Sequence, residues 1–560
     1  MDTPRYEETI SWCSDLAASS DLLKYTTFGI SPQGRALPLV VADNRGRFTP
    51  ADHLKRSDHL VLLVEACIHA GESCGKDAGM QLLRNLAEDR NLAEALLEKV
   101  TLLFIPIFNV DGHERFGPYG RINQNGPREM GWRVTSQNLN LNRDFLKADA
   151  PEMRDWLELF NAWQPDFFID IHSTDGADYQ YAITYGLELQ GNLEAGLSGW
   201  VADYLDTVNG TMTAAGFPMA PYVAFRDWHD PRSGLTAWAA GPRFSQGYAA
   251  IRNRPGLLVE THMLKDYATR VESTRLLLRH TMELLNSQAG RLREVIVAAD
   301  SLTASPEFRS QPFPLDFEAS DKSSSFKFLG VEYEQETSEV TGGSYFRFSD
   351  RPETFSVEYF DDLSPSITAD LPEAYLVPVE WTEVIDRLEL HGVRLERLKK
   401  PVELKIRTVR FSDAKWRERP YEGRHPVTFV TERLTESRLF PAGSVVVPMD
   451  QPLARVAAHL LEPGGPDSLA QWGFFDQIFE RVEYVESYVI EAMIPEMLAE
   501  HPEWAEELAA RKEADPEFAE NPWAIRYWFY EKTPFYDQRV GIYPVGMIDD
   551  PQVVEALPTG

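Results

Sequence analysis

The chain has 560 residues and carries 55 Lys and Arg residues against 87 Asp and Glu residues, a formal net charge of −32. This charge repels phosphates, so nucleic acid and an anionic membrane surface are excluded as main partners. Hydrophobic residues make up 43% and charged residues 25%, ordinary values for a globular protein with a large core. At about 150 residues per domain, the length predicts three or four units.

The cysteine content and the N-terminus bear on the cellular compartment. Cys13, Cys67 and Cys74 allow at most one disulfide, which suits a reducing compartment. The N-terminus lacks a basic segment followed by an apolar segment, and no apolar run reaches the length of about 18 residues that spans a bilayer. We therefore expect a cytoplasmic protein by default, and a periplasmic or secreted one if a leader has been trimmed.

Up to about residue 295, strand-like and helix-like segments alternate. Continuous apolar runs are typical of strands buried on both faces of a sheet, and apolar residues spaced three or four apart are typical of amphipathic helices. The pattern predicts an α/β fold in which helices cover a mixed central sheet. The predicted strands are Ala36–Ala42, His59–Ile68, Val100–Phe108, Phe167–Ile171 and Leu257–Val259, and the predicted helices are Gly75–Leu92, Pro151–Ala162, Leu189–Ala215 and Asp266–Ala289.

After about residue 295 the composition changes. Segments rich in Ser, Phe, Pro and Gly alternate like short strands, so residues 296–465 are predicted to form a β-rich accessory region. From residue 466 the sequence is helical and acidic, and residues 481–520 hold 12 Asp and Glu residues against 3 Lys and Arg residues. This charge run predicts a solvated helix surface. The predicted units are therefore 1–295, 296–465 and 466–560.

Three residues near the ends of predicted strands are candidate metal ligands. His69 and Glu72 leave one strand three positions apart, so a bent loop can direct both at one spot. Neutral imidazole and carboxylate suit Zn²⁺. His172 ends another strand and would complete a His₂Glu set that leaves one position open, as in catalytic zinc sites. The alternative for His172 is a buried histidine bonded to backbone, and Asp170 is a candidate for the carboxylate that orients a ligand histidine.

Two further groups are candidates for substrate contact and proton transfer. Arg133, together with Asn142 and Arg143, offers donors suited to a carboxylate, and an arginine near zinc also polarises a carbonyl. The alternative is a solvated surface turn. Glu260 ends an apolar strand, where a carboxylate is unusual unless it is paired or catalytic. It is either a general base or one half of a structural ion pair.

The order and spacing of these segments resemble the zinc carboxypeptidase family, the M14 or carboxypeptidase A-like metallopeptidases. The resemblance covers about residues 4–290 and looks closest to an uncharacterised bacterial subgroup with a long C-terminal extension. An early G-x-S-x-x-G-R turn from Gly29 to Arg35 precedes six motifs: His69-x-x-Glu72, Asn109-Val-Asp111-Gly112, Trp132-Arg133, Asn142-Arg143, Ile171-His172-Ser173 and Val259-Glu260.

The resemblance implies a zinc metallocarboxypeptidase that hydrolyses an amide bond next to a free carboxylate. It implies one Zn²⁺ per chain, held by the side chains of His69, Glu72 and His172. Glu260 would activate the attacking water and then pass the proton to the departing amine. The implied substrate is a peptide, or an N-acyl amino acid, with a free carboxylate; the sequence does not predict the oligomeric state.

For the substrate, the resemblance implies that Arg133 holds the scissile carbonyl and that Asn142 and Arg143 clamp the terminal carboxylate. Tyr248 is a candidate for the mobile tyrosine that closes over the substrate in this family, although it lies only 12 residues before Glu260. The alternative for Tyr248 is a core aromatic. Gly71 stands where many carboxypeptidases carry an arginine, which removes one substrate-binding charge.

Three alternatives to a peptidase of peptide C-termini remain. The same fold supports N-acyl amino acid deacylases similar to aspartoacylase and succinylglutamate desuccinylase, and a murein peptidase would require export. A binding module without activity would lack a ligand or Glu260, and this chain has all of them. His262 is either a group at the edge of the site or a packed histidine. In the extension, Arg419–His425 and the aromatic residues near Trp472 form either a lip over the site or the core of a second unit.

Overall fold

The computed structural model describes residues 2–53, 58–174 and 176–560. Up to residue 262 the described chain contains nine strands, most of them within one sheet. The strands are β1 (Leu23–Ile30), β2 (Ala36–Ala42), β3 (Leu60–Ala66), β4 (Val100–Ile105), β5 (Phe167–Thr174), β6 (Ile183–Gly186), β7 (Met219–Pro221), β8 (Leu235–Thr236) and β9 (Gly256–His262).

The central sheet is mixed and has the order β1-β2-β4-β3-β5-β9-β6-β7. Strand β3 runs parallel to β4 and β5, and β5 runs parallel to β9, whereas β1 with β2, β2 with β4 and β6 with β9 are antiparallel. Every residue of β3 and β5 is buried. Burial on both faces favours a continuous apolar run, which β3 shows except at Glu65, whereas β5 also carries Asp170 and ends in His172, Ser173 and Thr174. The predicted α/β fold with a mixed central sheet is confirmed.

Helices cover both faces of this sheet. Helices α2, α6 and α8 contribute to the core on one face, and α5 and α7 contribute to the core on the other face. The helices of this part of the chain are α1 (Tyr6–Ala18), α2 (Cys74–Glu88), α3 (Arg90–Leu97), α4 (Val110–Glu114), α5 (Pro151–Trp163), α6 (Ala195–Ala214), α7 (Ser245–Ile251) and α8 (Tyr267–Thr303), with short 3-10 turns at Pro50–His53, Leu141–Arg143 and Pro231–Ser233.

Two helices differ from the sequence expectation. The predicted helix Leu189–Ala215 begins only at Ala195, because Gly191 has a φ of 138° that no helix contains. The predicted helix Gly75–Leu92 is divided at Asp89, whose side chain accepts from the backbone N–H groups of Asn91 and Leu92 and so begins a new helix.

Beyond residue 303 the chain is rich in strands, as predicted. The helices are α9 (Pro306–Arg309), α10 (Thr382–Leu390), α11 (Ala454–Leu461), α12 (Ser487–Glu500), α13 (Glu503–Ala514), α14 (Pro516–Glu520), α15 (Pro522–Tyr530) and α16 (Pro551–Glu555), with a 3-10 turn at Asp476–Phe479. The strands are β10 (Phe313–Ala319), β11 (Ser324–Thr337), β12 (Ser344–Phe360), β13 (Leu363–Ala369), β14 (Ala374–Val377), β15 (Glu396–Arg397), β16 (Val402–Trp416), β17 (Val427–Phe440), β18 (Val445–Pro448) and β19 (Gly546–Ile548).

The three predicted units are joined by shared secondary structure. Strand β12 pairs with β8, and β19, near the C-terminus, pairs with both β14 and β16 in the sheet β15-β18-β14-β19-β16-β17. Helix α8 runs through the predicted boundary at residue 295. One hydrophobic core contains Trp156 and Tyr248 together with Tyr375 and Trp472. The division into three domains stays a prediction.

The state of the cysteines and the character of the helices bear on the expected cellular compartment. All three cysteines are free and buried. Among the described residues, no helix is both long and apolar enough to cross a membrane.

Candidate metal centre and substrate pocket

The central sheet brings the candidate residues to one edge. Strands β3, β5 and β9 are parallel neighbours, so their carboxyl ends meet at the same edge, where open α/β sheets bind ligands. His69 and Glu72 lie in the turn that follows β3. His172 lies on β5 and is the register partner of Glu260 on β9. Residues that are far apart in sequence are therefore adjacent at this edge.

The side chains of His69, Glu72 and His172 converge on one point. All three are buried, and one ligand atom from each lies within 4.8 Å of the others. The His69 Nδ1 atom is 3.1 Å from His172 Nδ1 and 3.2 Å from Glu72 Oε1, and His172 Nδ1 is 3.1 Å from Glu72 Oε2. Tetrahedral zinc with bonds of about 2.0–2.2 Å spaces its ligand atoms roughly 3.3 Å apart. The spacing of the three side chains therefore fits a zinc ion.

The other ring nitrogen of each histidine has a polar partner. His172 Nε2 is 2.6 Å from Asp170 Oδ2, and His69 Nε2 is 3.0 Å from Asn140 Oδ1. Donation from Nε2 to these oxygens leaves the Nδ1 lone pairs for a cation. Asp170 thus lies where the sequence indicates an orienting carboxylate. The sequence does not predict this role for Asn140, because the pattern of the Asn-x-Asn-x-Asn loop alone does not distinguish its members.

The electrostatics of this cluster favour a positive charge at its centre. Burial lowers the pKa of His69 to about 3, so its imidazole is neutral. Although burial disfavours charge on His172, Asp170 and Glu72 hold its pKa well above the ordinary value. Although burial disfavours charge on Glu72, the neighbouring Arg121 and His69 hold its pKa well below the ordinary value. A cluster that retains a carboxylate and stabilises a proton is suited to a divalent cation.

Glu260 stands beside the cluster with one free oxygen. Its Oε2 atom is buried and has no hydrogen-bond partner among the described residues. Burial, and the nearby carboxylates of Glu72 and Asp170, raise its pKa to about 8. No ion pair of Glu260 occurs in the described part of the chain, which disfavours the structural alternative and leaves an oxygen available for a water molecule.

The predicted substrate residues line the same pocket, which has a volume of about 210 Å³. The side chain of Arg133 is 42% exposed, and its Nη1 atom is 3.6 Å from Glu72 Oε1. Arg143 lies over the ring of Phe244 and donates to the Asn142 backbone oxygen at 2.6 Å. The Asn142 Oδ1 atom accepts from the Ser245 N–H, which fixes this side chain in the pocket wall.

A third arginine, Arg121, also lines the pocket, and the sequence did not identify it. Its Nη1 atom is 2.7 Å from Glu72 Oε1, and its side chain is 9% exposed. A Cβ atom on Gly71 would lie 2.8 Å from Arg121 Cγ, so the missing side chain at position 71 makes room for Arg121. Arg121 therefore supplies, beside Gly71, the positive charge that position 71 itself lacks. Only this steric relation identifies Arg121, since its loop has no periodicity.

The early turn and the Asn109–Gly112 motif support the loop that carries Arg133. Asp111 accepts hydrogen bonds from Ser31 at 2.8 Å and from Arg35 at 2.7 Å, which ties the turn to this motif. Asn109 donates to the Arg133 backbone oxygen at 3.3 Å. These motif residues hold the pocket in place and lie outside its lining.

Two candidates, Tyr248 and His262, lie outside the lining of the pocket. Tyr248 is fully buried, and its hydroxyl contacts His391 and Arg252. Helix α7 places Tyr248 in the core shared with the accessory region and outside the lining of the pocket, which favours the core alternative; a role in substrate binding stays a prediction. His262 is also fully buried, where it stacks on Tyr179 and contacts Asp178, so it is a packed histidine.

The turn between β16 and β17 reaches the rim of the pocket. Glu422 accepts from the Asn140 N–H at 3.0 Å, and Arg424 forms two hydrogen bonds with Asp149 at 2.6 and 2.8 Å. Tyr421 stacks on Trp472 and its hydroxyl interacts with Arg143. The turn thus packs on the core and touches a pocket residue. A role as a lip that restricts substrate size stays a prediction.

Comparisons with known proteins identify relatives along most of the chain. Residues 9–195 match the family model described as zinc carboxypeptidase. Carboxypeptidase 2 of Trichophyton rubrum is 24% identical over 487 residues, which cover 84% of each chain, and carboxypeptidase 2 of Trichophyton equinum is 23% identical over 491 residues with the same coverage. The solved metallo-carboxypeptidase of Burkholderia cenocepacia is 16% identical with a TM-score of 0.38, covering 50% of this chain and 69% of its own.

The two carboxypeptidase 2 relatives are fungal and do not support the bacterial subgroup indicated by the sequence. The aligned lengths exceed the 295 residues of the predicted catalytic unit, so the similarity continues into the accessory region. The predicted enzyme class, a metallopeptidase hydrolase, is confirmed by these matches. Residues 9–195 thus match the zinc carboxypeptidase family, and the chain is similar to named carboxypeptidases over most of its length.

Proposed function

We propose that this protein is a zinc-dependent carboxypeptidase that hydrolyses the amide bond next to the free carboxylate of a peptide. The observation that carries the proposal is the convergence of three features in one pocket. These are a His₂Glu cluster with metal-ligand spacing, a carboxylate with a free oxygen, and a group of arginines. Each of these features is common alone. Together they supply a metal site, a proton acceptor and anion-binding groups, which hydrolysis of an amide bond beside a free carboxylate requires.

The residues of the cluster would hold the metal through His69 Nδ1, Glu72 and His172 Nδ1. When bound there, Zn²⁺ supplies a Lewis acid that polarises a carbonyl and lowers the pKa of water. Asp170 and Asn140 keep the Nδ1 atoms directed at the metal by holding the opposite nitrogens.

Glu260 would move the proton. Its free Oε2 atom accepts a proton from the attacking water, and the same oxygen then donates this proton to the departing amine. Burial makes the protonated state accessible near neutral pH, so the carboxylate can act in both steps. Arg133 donates to the carbonyl oxygen, where negative charge develops as the water attacks.

Arg143 would bind the free carboxylate of the substrate. Its guanidinium is held in place by Phe244 and by the Asn142 backbone oxygen. A planar guanidinium can form two parallel hydrogen bonds with a carboxylate. The pocket carries three arginines against two carboxylates, Glu72 and Glu260, and a bound divalent cation adds further positive charge. This balance favours an anionic end of the substrate.

The test combines metal analysis with the isosteric variant Glu260→Gln. We expect about one zinc per chain in both proteins, because Glu260 is not a metal ligand in the proposal. The variant should lose at least about 10²-fold in kcat, since general acid–base groups contribute about 10²–10⁴-fold. Retained hydrolysis would remove Glu260 as the base, and a chain that neither contains zinc nor gains it on soaking would refute the metal site.

A substrate screen distinguishes the proposal from the deacylase alternative. The zinc-loaded protein is assayed with peptides of varied C-terminal residue and with N-acyl amino acids such as N-acetylaspartate. Hydrolysis of peptides supports the proposal. Hydrolysis of N-acyl amino acids alone would contradict it and establish a deacylase.

A further inference from the structure

We call the cavity of about 210 Å³ at the candidate metal cluster the metal pocket. A second cavity of about 230 Å³, the side pocket, adjoins it. It shares four lining residues with the metal pocket: Tyr222, Trp238, Gln246 and Leu258. Leu258 lies on β9 two residues before Glu260. A side chain of the residue whose carboxylate binds in the metal pocket can therefore enter the side pocket.

The lining of the side pocket is aromatic and acidic. Tyr185, Tyr359 and the shared Tyr222 and Trp238 supply the aromatic surface, and Glu188 and Asp361 supply two carboxyl groups. Among the described residues that line it, none is Lys, Arg or His. The metal pocket beside it has the opposite character, with Arg121, Arg133 and Arg143 in its wall.

Glu188 is the unusual member of this lining. It is 4% exposed, and its Oε1 atom accepts from the Ala240 N–H at 2.8 Å. Its Oε2 atom is buried without a hydrogen-bond partner among the described residues, and no ion pair of Glu188 occurs there. Burial raises its pKa to about 8. Burying a carboxyl group with half of its acceptors unused is costly, so a structural role alone does not account for it.

The loop that carries Glu188 is shaped around this carboxyl group. Gly191 has a φ of 138°, and a Cβ atom at this position would lie 2.7 Å from Glu188 Oε2. Only glycine combines this backbone conformation with this close approach. Gly191 also lies before the observed start of helix α6 at Ala195, so the segment is irregular where it packs against the carboxyl group.

We propose that the side pocket binds a cationic side chain, Lys or Arg, of the substrate's C-terminal residue, with Glu188 as the charge partner and the aromatic walls packing on the aliphatic stem. This inference rests on the proposed carboxypeptidase function and names its substrate class. A cation supplies the partner that Oε2 lacks, and its charge is stabilised by aromatic faces and by Asp361. A neutral apolar side chain would leave Glu188 unpaired, and an acidic one would be repelled.

The proposal is tested by hydrolysis of blocked dipeptides that differ only in the C-terminal residue. Lysine is compared with norleucine, which has the same four-carbon stem without the charge, and with arginine, phenylalanine and glutamate. A charge-assisted hydrogen bond predicts kcat/KM for lysine about 10- to 100-fold above that for norleucine. In Glu188→Gln this ratio should fall to about 1. Equal rates for lysine and norleucine, or a preference for phenylalanine or glutamate, would overturn the proposal.

A matched control removes one acidic charge outside the side pocket. Asp362 follows Asp361, but its carboxylate pairs with Lys322 and does not line the cavity. Asp362→Asn should keep the ratio of lysine to norleucine. A loss of the ratio in this variant equal to that in Glu188→Gln would assign the preference to net charge and overturn the role of Glu188.

A binding measurement separates failure of this inference from failure of the proposed function. Free lysine, arginine and norleucine are titrated into the zinc-loaded protein by calorimetry, with no hydrolysis required. Tighter binding of lysine than of norleucine, lost in Glu188→Gln, supports the side pocket even if no peptide is cleaved. Peptide cleavage without any discrimination in binding or rate sustains the carboxypeptidase and refutes the side pocket.

Discussion

Replacing Tyr248 by Phe tests whether this tyrosine serves the core or the substrate. The Tyr248 hydroxyl belongs to a buried chain of hydrogen bonds. Arg252 donates to it at 2.9 Å, it contacts His391 Nδ1 at 2.8 Å, and His391 Nε2 contacts the Leu146 backbone oxygen at 2.8 Å. Burial lowers the pKa of His391 to about 3, so its ring is neutral. Its Nε2–H therefore donates to Leu146, and its Nδ1 accepts from Tyr248.

The magnitude follows from what the missing hydroxyl leaves behind. Arg252 Nη1 keeps a second acceptor, the His391 backbone oxygen at 3.0 Å, so its donor stays satisfied. His391 Nδ1 loses its donor and is left buried without a partner. One buried unsatisfied acceptor costs about 1–3 kcal/mol. We therefore expect Tyr248→Phe to lower the free energy of unfolding by about 2 kcal/mol.

The assay measures stability and catalysis on the same preparations. Urea unfolding gives the midpoint, and hydrolysis of one peptide gives kcat/KM. Tyr119→Phe is the control, because Tyr119 is 89% exposed and the change should leave the midpoint unaltered. Tyr248→Phe should lower the midpoint and keep kcat/KM. An unchanged midpoint together with a lower kcat/KM would refute the core assignment and return Tyr248 to the substrate.

Three further predictions concern the metal, the proton and the side pocket. Asp170→Asn weakens the hold on His172 Nε2, so zinc affinity measured by chelator competition should fall about 10- to 100-fold; equal affinities would contradict an orienting role. Glu260 must be deprotonated to accept a proton, so kcat/KM should fall as the pH drops below the pKa of Glu260. Burial raises this pKa to about 8, and a bound divalent cation lowers it. The acid limb of the pH profile of the zinc enzyme should therefore lie below pH 8. The pKa of Glu188 is raised from 4.5 to about 8 in the folded state, so the unfolded chain binds fewer protons between these values and stability declines as the pH rises through this window. The variant Glu188→Gln should lack this contribution to the decline. An equal dependence of Tm on pH in both proteins would contradict the buried, unpaired state of Glu188.

The candidate metal ligands and the candidate base that the sequence identifies share one property, their position at the ends of buried strands. His69, Glu72, His172 and Glu260 each follow or end an almost wholly apolar run, where a polar residue is conspicuous. Parallel pairing of β3, β5 and β9 then brings strand ends together without further information. The local apolar pattern marks each strand end, and the parallel sheet brings ends from distant parts of the sequence to one edge, so together they predict the candidate metal cluster.

The residues that the sequence misses depend on contacts between distant segments. Arg121 is recognisable only from the space above Gly71, and Tyr248 is excluded from the pocket by His391, 143 positions away. Strand β19 enters a sheet of the accessory region from the end of an otherwise helical tail. Neither periodicity nor composition reports such pairings, since the interacting segments are individually ordinary.

The net charge of the chain and the net charge of the side chains that line the pocket have opposite signs. A net charge of −32 disfavours polyanionic partners, yet the pocket carries Arg121, Arg133 and Arg143. Screening limits the field of exposed charges to about 8 Å at physiological ionic strength, so the arginines act on a carboxylate only inside the pocket. The acidic surface and Glu188 favour a cation instead. A substrate that satisfies both carries a carboxylate and a cationic side chain on one residue, and C-terminal lysine and arginine have this combination.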